Sequence, residues 1–241
     1  MDRTRLQLEP GLWLDAARAV WLEEPQVLAV ADLHLGYAWA HRAEGQLLPI
    51  GVQEDTVERL LKLLDRYPAR EVVLLGDVVH RAIDVPALHT ELRWLALTIG
   101  AKARLRIIGG NHDRELALTL AAAGIALEID DSVDIGRHLL LHGDEPRPEA
   151  AKANLEARIA ESGRVIFGHE HPAIVLSDRV ASHVKCPCFL SGPGFLVVPA
   201  FSPWAAGSDI RRGTFLSPYT RLNKADRAVA IVADKLLPIR L

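Results

Sequence analysis

Five short apolar runs, at residues 27–31, 72–75, 105–108, 139–141 and 165–167, each stop at a residue able to bind a metal, usually with a glycine alongside. The junctions read Asp32-Leu33-His34, Gly76-Asp77, Gly110-Asn111-His112, His142-Gly143 and Gly168-His169-Glu170-His171. Runs this short and mostly apolar, with Arg106 the one exception, are the pattern of buried strands. Between them, Val57, Leu60, Leu61 and Leu64 keep helical spacing. So do Leu88, Leu92, Leu95 and Ile99, then Leu116 and Leu120, then Ala151, Leu155 and Ile159. The middle of the chain is therefore expected to be α/β. In open α/β sheets ligands gather at the carboxyl ends of strands, where glycine lets the backbone come close to them.

The flanks differ from this core. Residues 6–8, 12–14 and 19–22 read as short edge strands with a turn at 15–18. After Gly168 the helical patterns stop. Phe189, the turn Ser191-Gly192-Pro193-Gly194 and residues 195–198 predict a hairpin, and residues 229–233 a last strand. A β-rich start and end around a βα core predicts two sheets facing each other between helices. With 241 residues, no repeat and no Gly/Ser/Pro-rich divider, one domain over 1–241 is expected.

Several classes are disfavoured. The longest mostly apolar stretch, 116–127, is interrupted by Thr119 and Gly124 and is too short to span a bilayer. Residues 1–10 are charged and lack the apolar centre of a signal peptide. A cytoplasmic protein with no membrane partner is the expectation. Cys186 and Cys188, separated by one proline, are too close for an ordinary disulfide and too few for a structural zinc site, so they read as reduced packing residues. A net charge of -3 removes the simplest argument for duplex binding, though it is compatible with a local basic groove.

Taken singly, Asp32 reads as a turn residue, Asp77 as a helix cap and Asn111 as a turn former. Their recurrence at five successive strand ends does not follow from such independent causes. Carboxylates, an amide oxygen and imidazoles without thiolate suit manganese, iron or zinc. Two divalent ions held by Asp32 and Asp77 with a bridging hydroxide leave a residual charge of about +1, which draws a phosphate. Two ions about 4 Å apart can bind the attacking and leaving oxygens of an in-line displacement.

As an ordered set, Asp-x-His, Gly-Asp, Gly-Asn-His-Asp, His-Gly and Gly-His-x-His resemble the calcineurin-like metallophosphoesterases. The resemblance implies a four-layer α-β-β-α sandwich. It implies that Asp32, His34, Asp77 and His171 hold one metal and Asp77, Asn111, His142 and His169 the other, with Asp77 bridging. His112 would then contact the phosphate and protonate the leaving oxygen, with Asp113 orienting its ring. The family usually has Asp where this chain has His80, in Gly76-Asp77-Val78-Val79-His80-Arg81. That variant, together with Ala31 to Gly36, His169-Glu170-His171-Pro172, Cys186-Pro187-Cys188-Phe189 and Pro199-Ala200-Phe201, is similar to the bacterial DNA-ligase-associated branch. His142-Gly143-Asp144-Glu145 departs from that branch, which more often has a proline soon after the histidine.

The branch resemblance implies a manganese-dependent phosphodiesterase and single-strand DNA endonuclease of DNA repair. Two divalent ions would be its cofactors, manganese first and iron or zinc as alternatives. Single-stranded DNA or another phosphodiester would be its substrate, and DNA ligase and helicase repair proteins its functional associates. His80, Arg81, Arg114 and Arg42 are candidate substrate-binding residues, the arginines because they can fork onto phosphate oxygens. Trp204 followed by Arg211 and Arg212 offers a ring that could stack a base beside cations. The alternatives are a hydrolase of nucleotides or other small phosphoesters, and a non-catalytic binding scaffold of the same fold. Intact ligand motifs argue against the scaffold.

Overall fold

The computed structural model describes residues 3–46, 48, 54–81, 85–145, 147–177, 183–222 and 224–241. Two sheets face each other. The first holds β1 (Arg5–Glu9), β2 (Leu12–Asp15), β3 (Ala19–Leu22), β4 (Val27–Val30), β5 (Glu71–Leu75), β6 (Arg104–Ile108) and β7 (Ile129–Asp130), in that spatial order. Its first four strands pair antiparallel and β4 to β7 pair parallel. Helices α1 (Tyr37–Ala43), α2 (Glu54–Arg66), α3 (Pro86–Gly100) and α4 (Leu116–Ala122) come from the connections around its parallel half.

The second, nine-stranded sheet is built from β8 (Ser132–Ile135), β9 (His138–Leu141), β10 (Val165–Phe167), β11 (Pro172–Ser177), β12 (His183–Gly192), β13 (Phe195–Val197), β14 (Ser208–Asp209), β15 (Arg227–Val232) and β16 (Lys235–Arg240). Helices α5 (Pro148–Ala160) and α6 (Pro218–Leu222) belong to this half. The ten residues of β12 pair with β11 at one end and with β13 and β15 towards the other.

Three apolar clusters define four layers. The first packs Val57, Leu60, Leu92 and Ile99 of the helices on Leu28, Val30, Val72 and Leu74. The second lies between the sheets, where Ala29, Val73 and Ile108 meet Leu140, Ile166 and Leu196. The third sets Leu155 of α5 and Tyr219 of α6 against Leu141, Phe167 and Val197. Alternate residues of each central strand serve the two faces, as the period of a strand requires. This is the expected α-β-β-α sandwich.

Local sequence accounts for the helix between β5 and β6. Pro86 opens α3 where its fixed φ suits the first turn, after Val85 in extended conformation. Leu88, Leu92, Leu95 and Ile99 then make one buried stripe.

Three expectations need correction. β2 and β3 lie inside their sheet, since each is paired on both sides, and of the three only β1 is an edge. Helical structure does not end at Gly168: a one-turn helix at Ile210–Arg212 and the short α6 follow, both too brief to show a 3.6-residue period. β15 is not the last strand, because a tight turn at Ala233 and Asp234, both at positive φ, returns the chain as β16.

His138 opens β9 as a buried imidazole. Burial pushes its pKa down to about 4 against the pull of Glu9, with Arg137, Arg164 and Arg158 adding to the depression. The unfolded ring titrates near 6.5. The neutral ring therefore contributes stability that is complete above about pH 6.5 and is lost as pH falls towards 4, by up to about 3 kcal/mol. Chemical denaturation across that range should show a steeper acid loss for the native chain than for His138→Gln. Equal slopes would show that the ring is not held neutral.

Candidate metal centre

The parallel strands β4, β5 and β6 end at one level, with β9 and β10 of the second sheet beside them. The loops after the strands are stitched together: Asp32 N donates to the Gly76 carbonyl (3.1 Å), His34 N to Asp77 (2.9 Å) and Leu35 N to Val78 (2.8 Å). Within the second sheet Gly168 N donates to the His142 carbonyl (3.0 Å), and across the sheets His169 N reaches both carboxylate oxygens of Asp32 (3.2 Å).

Five side chains of the centre sit on left-handed backbone: Asp32 (φ 55°), His34 (48°), Asp77 (50°), His169 (62°) and His171 (43°). Such conformations cost non-glycine residues on the order of 1–3 kcal/mol each and persist where the surroundings enforce them. The glycines beside them are required by crowding. A Cβ on Gly168 would come within 2.6 Å of Asp32 Oδ2, and one on Gly110 would collide with Asp77 Oδ1.

Seven expected ligands converge. His171 Nε2 lies 3.4 Å from Asp32 Oδ1 and 3.3 Å from His34 Nε2. His34 Nε2 lies 4.0 Å from Asp77 Oδ2. On the other side of Asp77, His142 Nε2 is 3.5 Å from Oδ1 and 3.1 Å from Asn111 Oδ1. The His142 and His169 rings meet edge to face at 5.0 Å. His142 Nδ1 donates to the Leu75 carbonyl at 2.9 Å, which leaves Nε2 aimed at the carboxylate.

Burial and charge set the protonation of the centre. Full burial pushes Asp32 up, yet His171, His142 and His34 around it outweigh burial and hold it below its ordinary value. Asp77 rises, because burial and the like charge of Asp32 exceed the lowering by His142 and His112. Burial takes His34 down to about 3 and lowers His169. At His142 and His171 burial also lowers, but the carboxylates pull harder and both rings rise.

These residues fit divalent cations. Asp32 and Asp77 are both buried, and among the described residues no lysine or arginine pairs with either. Buried carboxylates are sustained by a cation, and mixed oxygen and imidazole donors suit first-row divalent ions. Asp32, His34, Asp77 and His171 offer donor atoms all within 4.8 Å of one another, and so do His34, His80 and His112.

His112 stands at the mouth, with 37% of its side chain exposed and Nε2 4.0 Å from Asp77 Oδ2. Its backbone N donates to Asp77 Oδ1 at 2.9 Å. The ring is oriented by the carbonyl of His80, which accepts from Nδ1 at 2.7 Å. Asp113 makes its contacts elsewhere. Its carboxylate accepts from Gly110 N (3.0 Å) and from Val78 and Val79 N (3.2 Å each), tying the Gly-Asp loop to the Asn-His loop. Burial pushes its pKa up to about 6 despite these donors.

The arginines lie further out. Arg81 is exposed and pairs with Glu44 at 2.6 Å, Arg42 sits 6.0 Å from the Trp39 ring centre, and Arg114 is exposed. Sequence reasoning missed four residues. Glu170, between two ligand histidines, is buried and accepts from Leu216 N, Ser217 N and Thr220 Oγ1 at 3.1, 2.6 and 2.6 Å, anchoring the segment before and into α6. Tyr37 and His41 flank His80, at 4.5 and 5.4 Å between ring centres. Their i, i+4 spacing just after the first ligand motif was the available signal. The Leu75 carbonyl left no trace in side-chain identity.

A two-sheet sandwich with carboxylate and imidazole ligands at its strand ends defines a class of metal-dependent hydrolase. Residues 26–198, well over half of the chain, match the sequence model of the calcineurin-like phosphoesterase superfamily domain, and the chain belongs to that superfamily. It is a metal-dependent phosphoester hydrolase. A search among curated proteins gives no match. The crystal structure of Pseudomonas putida nuclease MPE is similar at a TM-score of 0.68, over 95% of this chain and 94% of that one, with 23% sequence identity. At that identity the likeness is one of fold.

Because the carboxylates raise His142 and His171, a divalent ion displaces protons as it binds. Mn²⁺ affinity should therefore be weaker at pH 6 than at pH 8. Calorimetry in buffers of different ionisation enthalpy should register net proton release. Binding without proton release would contradict this electrostatic account.

Proposed function

We propose that the chain is a single-domain, manganese-dependent phosphodiesterase that cuts single-stranded DNA. Asp32, His34, Asp77 and His171 would hold one ion and Asp77, Asn111, His142 and His169 the other. The observation that carries this reading is the placement of Asp77: one oxygen faces His34 and His112, the other His142. When bound, the two ions activate a water and neutralise charge on the phosphate. The core shared by both sheets supports a single domain.

The protein's own groups do the rest. As the water oxygen bonds to phosphorus, the bond to the leaving ester oxygen breaks. His112 in its protonated form gives that oxygen the Nε2 proton, completing the alcohol, while the proton lost by the water passes to solvent. The His80 carbonyl keeps Nε2 turned inwards by holding Nδ1. Among the described residues no arginine or lysine is bonded to the ligand carboxylates, and Arg81 is engaged by Glu44. A monoester dianion gains more from such cations than a diester does, so the engagement of Arg81 by Glu44 favours a diester. The structural likeness to a protein named as a nuclease supports DNA as the diester.

Incubation of a single-stranded oligonucleotide with the Mn²⁺-loaded protein should produce nicks, and no cleavage at any metal concentration would refute the DNA substrate. Asp77→Ala should lose both metal and turnover. His112→Ala retains the backbone donor to Asp77, so it should keep its metal while slowing turnover by about 10²–10⁴-fold. Full metal content in the Asp77 variant would remove the bridging role.

A further inference from the structure

Five aromatic rings form a continuous strip leading away from the centre. It begins at His112, whose ring stacks on His80 with centres 5.5 Å apart and planes at 26°. His80 stacks on His41 at 5.4 Å and 22°, and packs against Tyr37 at 4.5 Å. Tyr37 in turn lies nearly parallel to Trp204, at 5.4 Å and 11°. None of these five residues is fully buried.

The far end of the strip is fixed to the metal-binding loop. Just before Trp204, Phe201 N donates to the Ala31 carbonyl at 2.7 Å and Ser202 N to the Asp32 carbonyl at 3.0 Å. Arg18 Nη1 donates to the carbonyls of both Ala200 and Ser202 at 2.9 Å. The indole is thus held on the same framework as Asp32, and a flat ligand meets a surface that needs little ordering.

The opposite flank has another character. Beyond His142 the surface groove is lined by Asp131, Asp134, Asp144 and Glu145, with Arg158 the one arginine or lysine among the described lining residues. Arg158 is itself shared between Asp134 and Glu161 at 3.2 Å each. That acidic lining disfavours a strand of phosphates on this flank.

We propose that the strip from His112 to Trp204 is a base-stacking subsite, which holds the nucleobase on the leaving-group side of the scissile phosphate. The inference deepens the nuclease reading and rests on it for the role of His112. The donor of the leaving group's proton is the first ring of the strip, so the departing nucleoside lies over the rings that follow. Every nucleobase has a π face, so such a subsite grips single strands without reading sequence. In a duplex the same faces are covered by neighbouring bases, which makes the strip a discriminator for unpaired DNA.

Two measurements test this. In calorimetry on the Mn²⁺-loaded protein, at least one of the 5′- and 3′-monophosphates of deoxyadenosine should bind about tenfold more tightly than the matching base-free deoxyribose phosphate, within the range for one aromatic stack. The ratio should fall towards one in Tyr37→Ala and Trp204→Ala and largely survive in Tyr37→Phe and Trp204→Phe. Equal affinities in the native protein, or a ratio unmoved in both alanine variants, would overturn the subsite. The second measurement scans one abasic position through a single-stranded oligonucleotide. Slower cutting only when the missing base lies on the leaving side supports the assignment, and slowing only from the other side refutes it. Should no oligonucleotide be cut, the DNA reading and the leaving-side assignment fail together, while the binding ratio decides separately whether the rings hold a base.

Discussion

Asp32 and Asp77 are sealed from solvent at the ends of neighbouring parallel strands, and the groups facing them are imidazoles. Two buried carboxylates this close raise the energy of the fold unless positive charge joins them. Without metal, protons on His142 and His171 supply it in part. With divalent ions the compensation is direct, and the surplus charge is available to a phosphate. Much of the surrounding geometry follows from packing acids, imidazoles and glycines into this small volume.

The sandwich makes that packing possible. A single parallel sheet would present ligands from β4, β5 and β6 only, whereas the second sheet brings β9 and β10 against them with the His142 and His169 loops. The loops are then locked by backbone bonds and by two buried carboxylates that accept from backbone N–H groups. Asp113 ties the Gly-Asp and Asn-His turns, and Glu170 ties the His-x-His turn to the segment leading into α6. The left-handed backbone at five ligand or flanking positions is sustained by this stitching.

Much of this was legible in the sequence, for a physical reason. Strands buried on both faces are continuous apolar runs, and a ligand following such a run marks a strand end, so the five junctions and the α/β core could be read directly. Short or two-sided elements could not be read: β7 and β14 have two residues each, and α6 has five, below the length at which periodicity declares itself. At the centre, residue type identified which side chains gather but not which backbone groups orient them. The His80 carbonyl turns the His112 ring, and no side-chain pattern encodes a carbonyl. The strip of Tyr37, His41, His80 and Trp204 was hidden for a related reason, because its members come from three separate segments.

The two flanks of Asp77 give the centre a direction, aromatic on the Oδ2 side and acidic beyond Oδ1. The proposed reaction depends on a pair of ions straddling one carboxylate. Anomalous diffraction at the manganese edge, from crystals grown with Mn²⁺, tests that most directly. The account predicts two peaks about 4 Å apart, one among Asp32, His34 and His171 and one among Asn111, His142 and His169, with Asp77 between them. A single peak, or peaks away from Asp77, would contradict it.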